Sequence, residues 1–141
     1  MSGLIVIDAS VILKWVLPPD AEPNQPEALA VAEALTEGDV DVALPALWYF
    51  EVGNILIRKY PEHADQDLAD LRDQLASFEK PMTDDWQRQI LALTNRHRVT
   101  FYDAAYHALA IVNGGVLITA DEKYLKAVGD DKHAMRLKDW R

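Results

Sequence analysis

Leu4-Ile5-Val6-Ile7-Asp8-Ala9-Ser10 is the stretch that decides how this 141-residue chain is read. Four consecutive apolar residues, three of them β-branched, describe a short strand buried on both faces, as in a parallel sheet. The run stops on an acid. Ser10 then stands where it can cap a helix through Val11, Ile12, Leu13 and Trp15, which Pro18 and Pro19 end. A strand that hands an acid to a following helix sets the pattern sought in the rest of the chain.

That pattern recurs. After a polar, proline-rich loop over 19–25, a helix is expected over about 26–36, with Leu29, Ala32 and Leu35 on one face and Gly38 beyond its end. Val40, Val42 and Leu44 suggest a second short strand. Pro45 suits the first position of a helix running to about Tyr60, closed by Pro61. Leu68, Leu71, Leu75 and Phe78 repeat at helical spacing within 65–79. Thr83 precedes another helix, with Asp84 and Asp85 in its first turn and Trp86, Ile90, Leu93 and His97 on one face. Arg98-Val99-Thr100 reads as a minimal strand before a helix over about 102–112. Gly114 and Gly115 turn the chain into strand Val116-Leu117-Ile118-Thr119. A short helix over about 122–128 and a last strand around Met135-Arg136-Leu137 complete the chain. Short apolar strands alternating with amphipathic helices imply an α/β fold, a parallel sheet with helices on both faces. Ligands in such folds bind at the carboxyl ends of the strands, where strand order reverses.

Composition narrows the class. Half the residues are apolar and 26% are charged, which suits one folded domain over residues 1–141 and excludes a largely disordered chain. No apolar run approaches the roughly 20 residues of a membrane-crossing helix. The first eight residues, with no basic segment, do not read as a secretory signal, so a cytoplasmic location is expected. The absence of cysteine removes disulfides, thiolate nucleophiles and thiolate zinc sites. Net charge is −9, unlike a simple basic nucleic-acid binder. The charge is unevenly spread: residues 1–85 carry five Lys/Arg against seventeen Asp/Glu, and residues 86–141 carry nine against six. A polyanion-binding face near the C-terminus and ordinary surface composition explain that split equally well.

Four acids stand out. Asp8 follows the first strand, Asp121 follows the strand at 116–119, and Asp103 opens the helix after Thr100. Glu51 lies among Leu47, Trp48, Phe50, Val52, Ile55 and Leu56, where an unpaired carboxylate is unfavourable. Each has a local explanation. Thr100 and Asp103 form a capping box, Thr119-Ala120-Asp121-Glu122 reads the same way or with Asp121 as the cap, and Glu51 could pair with Arg58 or Lys14. Convergence of all four on one edge is harder to obtain from capping alone. Two carboxylates about 4 Å apart repel by roughly 4 kcal/mol at an effective dielectric near 20. A hard divalent cation relieves that repulsion, and all-oxygen ligation favours Mg²⁺ or Mn²⁺ over zinc. Carboxylate-held Mg²⁺ completes its shell with water and phosphate oxygens, which is the chemistry of phosphodiester hydrolysis.

In Asp8-Ala9-Ser10, the Pro45-to-Arg58 helix with Glu51, Tyr102-Asp103-Ala104 and Leu117-Ile118-Thr119-Ala120-Asp121, taken in order, the chain resembles the PIN domain. More narrowly, it resembles the VapC-type ribonuclease toxins of toxin–antitoxin pairs. The resemblance implies a three-layer α/β/α sandwich around a short central parallel sheet and a Mg²⁺- or Mn²⁺-dependent endoribonuclease acting on RNA. It also implies Asp8 and Asp103 as principal metal ligands, with Glu51 and Asp121 completing the acidic pocket. Ser10 and Thr119 match small hydroxyl positions that orient ligands or water. A homodimer and a VapB-like antitoxin partner are implied as well.

Other residues have mainly structural readings. His97 ends a helix, and His107, one turn after Asp103, is expected to be structural or at the surface. Arg58, Arg96, Arg98 and the C-terminal Lys/Arg residues are solvated surface or phosphate contacts. Trp15, Trp48, Trp86 and Phe78 suit a core or an interface. The stripe Leu68, Leu71, Leu75, Phe78 suits internal packing or a dimer or antitoxin surface. Two rival functions remain. The first is a non-catalytic PIN-like module that holds a metal or a protein. The second, an aspartyl-phosphate phosphatase or receiver, fits poorly because Ser10 stands where such a phosphatase needs a second Asp, and no acidic pair marks a receiver.

Overall fold

The computed structural model describes residues 3–19 and 22–140. The strands are β1 (Leu4–Ile7), β2 (Asp41–Val42), β3 (Val116–Thr119) and β4 (Ala134–Arg136). They form one parallel sheet in the order β2-β1-β3-β4. Among the described residues, seven α-helices flank it: α1 (Ala9–Val16), α2 (Gln25–Thr36), α3 (Leu47–Lys59), α4 (Pro61–Leu75), α5 (Asp84–His97), α6 (Phe101–Val112) and α7 (Glu122–Val128). The expected α/β/α sandwich is the observed fold. β1 and β3 are the central pair, so Val6, Ile7, Leu117 and Ile118 lose essentially all solvent contact. Each such side chain contributes roughly 1.5–3 kcal/mol by burial, which is why these strands read as unbroken apolar runs.

Helices α1 and α6 lie directly on β1 and β3, α2 packs on α1, α4 on α3 and α5 on α6. Leu71 and Leu75 are buried, with Leu68 and Phe78 packed against the core, so the leucine stripe of α4 is internal packing. Trp48 and Trp86 are also buried, their indole N–H groups donating to Glu79 Oε2 at 2.7 Å and the Ala105 carbonyl at 2.9 Å. The turn from α6 to β3 uses two glycines differently. Gly114 has φ +66°, the left-handed region that glycine adopts most cheaply. Gly115 passes so close to β1 that a Cβ there would sit 2.4 Å from the Leu4 carbonyl oxygen.

Several local expectations need correction. Helix α1 is capped by Asp8, whose side chain accepts from Ser10 N, and Ser10 lies inside the helix. Pro61 both closes α3 and occupies the first position of α4, which therefore starts four residues before Asp65 and ends at Leu75, followed by a 3₁₀ turn over Ala76–Phe78. The backbone N–H that proline lacks is not needed at that position, so one residue can end a helix and begin the next. Arg98-Val99-Thr100 is not a strand. Arg98 ends α5 at φ 58°, and Thr100 caps α6 by accepting from Asp103 N. The second strand is reduced to Asp41–Val42, with Leu44 bridging to Glu79.

The sheet order places a reversal between β1 and β3. From β1 the chain proceeds to β2 on one side, whereas β3 and β4 lie on the other. Loops leaving the carboxyl ends of β1 and β3 diverge there and leave a crevice.

Candidate active site

Asp8 leaves β1 and Thr119-Ala120-Asp121 leaves β3 at that crevice. The register pairs Ile7 with Ile118, which sets Asp8 beside Thr119. Asp8 Oδ1 accepts from Ser10 N at 3.1 Å and Ser10 Oγ at 2.5 Å, while Oδ2 accepts from Thr119 Oγ1 at 2.5 Å. Both hydroxyls are themselves held by backbone: Ala120 N donates to Ser10 Oγ at 2.9 Å and Asp121 N to Thr119 Oγ1 at 3.0 Å. Ser10 and Thr119 thus fix the Asp8 carboxylate and tie the two strand ends together. Asp121 caps α7, accepting from Tyr124 N through Oδ1 at 3.0 Å. Asp103 stands in the first turn of α6. Three of the four acids therefore sit at helix N-termini, where negative charge is favourable. Capping and convergence are not alternatives, because the same residues do both.

Glu51 arrives from α3. Together with Asp8, Asp103, Asp121, Ser10 and Tyr106 it lines one cavity of about 300 Å³. Neither expected cation reaches it. Lys14 is only 4% exposed and turns to Glu22 at 3.2 Å and the Pro23 carbonyl at 2.7 Å, and Arg58 is exposed and donates to its own helix. Instead the phenol of Tyr106 donates to Glu51 Oε1 at 2.5 Å. Sequence reading missed Tyr106, though it lies three residues after Asp103 on α6 and hence on a neighbouring face. Burial, reinforced by the charge of Glu51, drives the Tyr106 pKa far up, so the phenol remains a donor.

The electrostatics are strained by burial. Asp8 is pushed up to about 6, chiefly by desolvation; Ser10 and Thr119 pull it back and the charge of Asp121 adds to the rise. Glu51 is raised by burial first, against the Tyr106 hydrogen bond, with Asp103 repelling it. Asp103 is raised by burial and then by Asp121, while Thr100 and Lys123 counter. Among the described residues, no Lys, Arg or His forms an ion pair with any of the four acids. Nor, among the described residues, is any group of three or more His, Asp or Glu side chains drawn together tightly enough to hold a metal ion. Carboxylate oxygens gathered in one pocket with no ion-paired Lys, Arg or His are the donor set that a hard divalent cation takes, and in donor chemistry the residues fit one.

His107 is fully buried, with Nδ1 hydrogen-bonded to Tyr124 Oη at 2.7 Å. Its Nε2 lies 3.4 Å from Asp131 Oδ1 without a hydrogen bond's alignment. Burial holds the imidazole below its usual pKa. It ties α6 to α7 and lines no part of the acid cavity. A larger cleft of about 940 Å³ lies between α7 and β4, but its Arg136 is already paired with Glu122 at 2.7 Å and the acids of the crevice are absent from it.

Comparison with known proteins is consistent along nearly the whole chain. The PIN domain family profile matches residues 5–131. Ribonuclease VapC3 of Pyrobaculum aerophilum is 30% identical over 129 residues, covering 84% of this chain and 90% of that protein. Two solved structures share the fold. A toxin–antitoxin complex from Klebsiella pneumoniae has TM-score 0.66 at 18% identity, covering 94% of this chain and 97% of its counterpart. FitAcB from Neisseria gonorrhoeae has TM-score 0.68 at 18% identity, covering 96% and 99%.

Proposed function

The chain belongs to the PIN-domain family, in its VapC-type branch, and from that premise we propose that it is a divalent-metal-dependent endoribonuclease, the toxin of a type II toxin–antitoxin pair. One observation carries the reading: four carboxylates from β1, α3, α6 and the end of β3 share a cavity, and among the described residues no Lys, Arg or His forms an ion pair with any of them. Asp8 and Asp103 would be the principal ligands of Mg²⁺ or Mn²⁺, with Glu51 and Asp121 completing the set. When bound, such an ion supplies a nucleophilic water at neutral pH and neutralises charge on the scissile phosphate. The protein's own part is positional. Ser10 and Thr119 hold Asp8, Tyr106 holds Glu51, and the N-cap bond holds Asp121, so each of these carboxylates is oriented by its own hydrogen bonds.

In-line hydrolysis at this site would leave 5′-phosphate and 3′-hydroxyl ends on the RNA. Local neutralisation by the ion also explains how a chain of net charge −9 can hold a polyanion. The similarity to a ribonuclease VapC and to a toxin–antitoxin complex supports a VapB-like antitoxin as partner. A homodimer, a single domain over residues 1–141 and a cytoplasmic location belong to the same proposal. Among the described residues, no helix is long and apolar enough to cross a membrane.

The test is cleavage of total cellular RNA by the purified protein, with products end-mapped. Cleavage is expected with Mg²⁺ or Mn²⁺, cessation with EDTA, and recovery on adding Mn²⁺. Saturable metal binding with no cleavage would assign a metal-holding module instead, and undiminished cleavage in EDTA would remove the metal from the account.

A further inference from the structure

A second hollow, of about 290 Å³ and almost wholly apolar, also draws on α3 and α6 and is lined by Leu47, Lys80, Met82, Trp86, Phe101 and Tyr102. Trp86 is buried and belongs to the core, but Met82, Phe101 and Tyr102 are 51%, 45% and 61% exposed. Helix α6 buries nearly all of its middle, from Ala104 to Ala110, and leaves two adjacent aromatics in solvent at its first turn. Exposed aromatic surface clustered in this way marks a binding site more often than it serves stability.

We propose that this hollow is a nucleobase subsite, in which Phe101 and Tyr102 stack an unpaired RNA base next to the phosphate held at the acid pocket. The inference rests on the ribonuclease reading and adds to it the residues that hold a base near the scissile phosphate. Continuity favours a base. Leu47 precedes Glu51 by about one turn of α3, or roughly 6 Å, and Tyr102 directly precedes Asp103, so both hollows take lining residues from the same two helices within about a turn of each other. Charge favours it too. Lys80 is one of only five basic residues in the first 85, is exposed, and forms no ion pair among the described residues. A flat ring between aromatic side chains with an ammonium beside its backbone is how single-stranded RNA is held.

The test is a coupling cycle on cleavage kinetics. Wild-type protein first locates a cleavage site in RNA. Short single-stranded RNAs spanning that site are then made with one abasic nucleotide at each flanking position in turn. For wild type, one abasic position is expected to lower kcat/KM about 5- to 150-fold, the range of a single base–aromatic stack. The Phe101→Ala/Tyr102→Ala variant should lose the same factor on intact RNA and little more on the abasic one, because the partner is already gone. Tyr102→Trp, which keeps an aromatic face, should retain both the wild-type kcat/KM and the abasic penalty. Tyr102→Ala alone, at the more exposed position, serves if the double variant does not fold.

Independent, multiplying losses would overturn the subsite, as would an intact abasic penalty in the variant. Unchanged RNA kinetics with weakened neutralisation by an antitoxin would give the hollow to a protein partner and also overturn it. If wild type cuts no RNA at all, the ribonuclease reading falls first and the subsite with it.

Discussion

Asp8→Asn and Asp103→Asn are each expected to lower RNA cleavage by about a thousand-fold or more while the fold remains intact. The size follows from what the groups do. Removing one preorganised group that stabilises developing charge typically loses a factor of about 10²–10³, and a proposed principal metal ligand contributes to both water activation and phosphate neutralisation. The fold should survive because neither acid closes the core. Asp8 and Asp103 are partly exposed, and the burial that stabilises the sheet comes from Val6, Ile7, Leu117 and Ile118. Circular dichroism and kcat/KM on the same preparations check both halves. Retained cleavage in either variant removes that residue from the machinery.

The same Asp8 substitution should shift the pH dependence of stability. In EDTA, folding raises the Asp8 pKa from its ordinary 3.8 to about 6, mainly because burial penalises the charged form. The stability Asp8 contributes is therefore fully present below about pH 4 and is lost as pH rises through about 6. Across that window the wild type gives up on the order of 2–3 kcal/mol at this site, and Asp8→Asn does not. Thermal unfolding from pH 4 to pH 8 should show the Asn variant gaining on wild type by roughly 6–10 °C in Tm. The offset between the curves depends on how Ser10 and Thr119 re-pair with an amide, so the change in the difference with pH is the test. A difference that stays constant from pH 4 to pH 8 would show that Asp8 is not held in a strained ionised state.

What was readable from residues alone follows from how local each cause is. Leu4–Ile7 and Val116–Thr119 could be read because strands buried on both faces must be apolar throughout, and Asp8 and Asp121 because they end those strands. The partner of Glu51 could not. Tyr106 reaches it only because α3 and α6 come together across 55 residues of chain, and no local pattern distinguishes that contact from pairing with Arg58 or Lys14. Arg98-Val99-Thr100 misled for the opposite reason. Val and Thr favour strands, yet here they bridge the end of α5 and the cap of α6, and cap geometry outweighs a propensity of fractions of a kcal/mol. The early start of α4 was hidden because Glu62 and His63 are exposed and contribute nothing to an apolar period. Phe101 and Tyr102 could be read only as neighbours of Asp103, because a sequence shows aromatic residues without showing which of them stay in water.

The most direct test of the four-acid site is calorimetric titration of Mn²⁺ into metal-free wild type, Asp8→Asn and Asp103→Asn, independent of any RNA. Saturable binding by wild type, lost in both variants, is the expected result, with Tm rising on loading by the increment its affinity dictates. Unchanged isotherms in both variants, or wild type that takes up no Mn²⁺ and still cuts RNA, would contradict it.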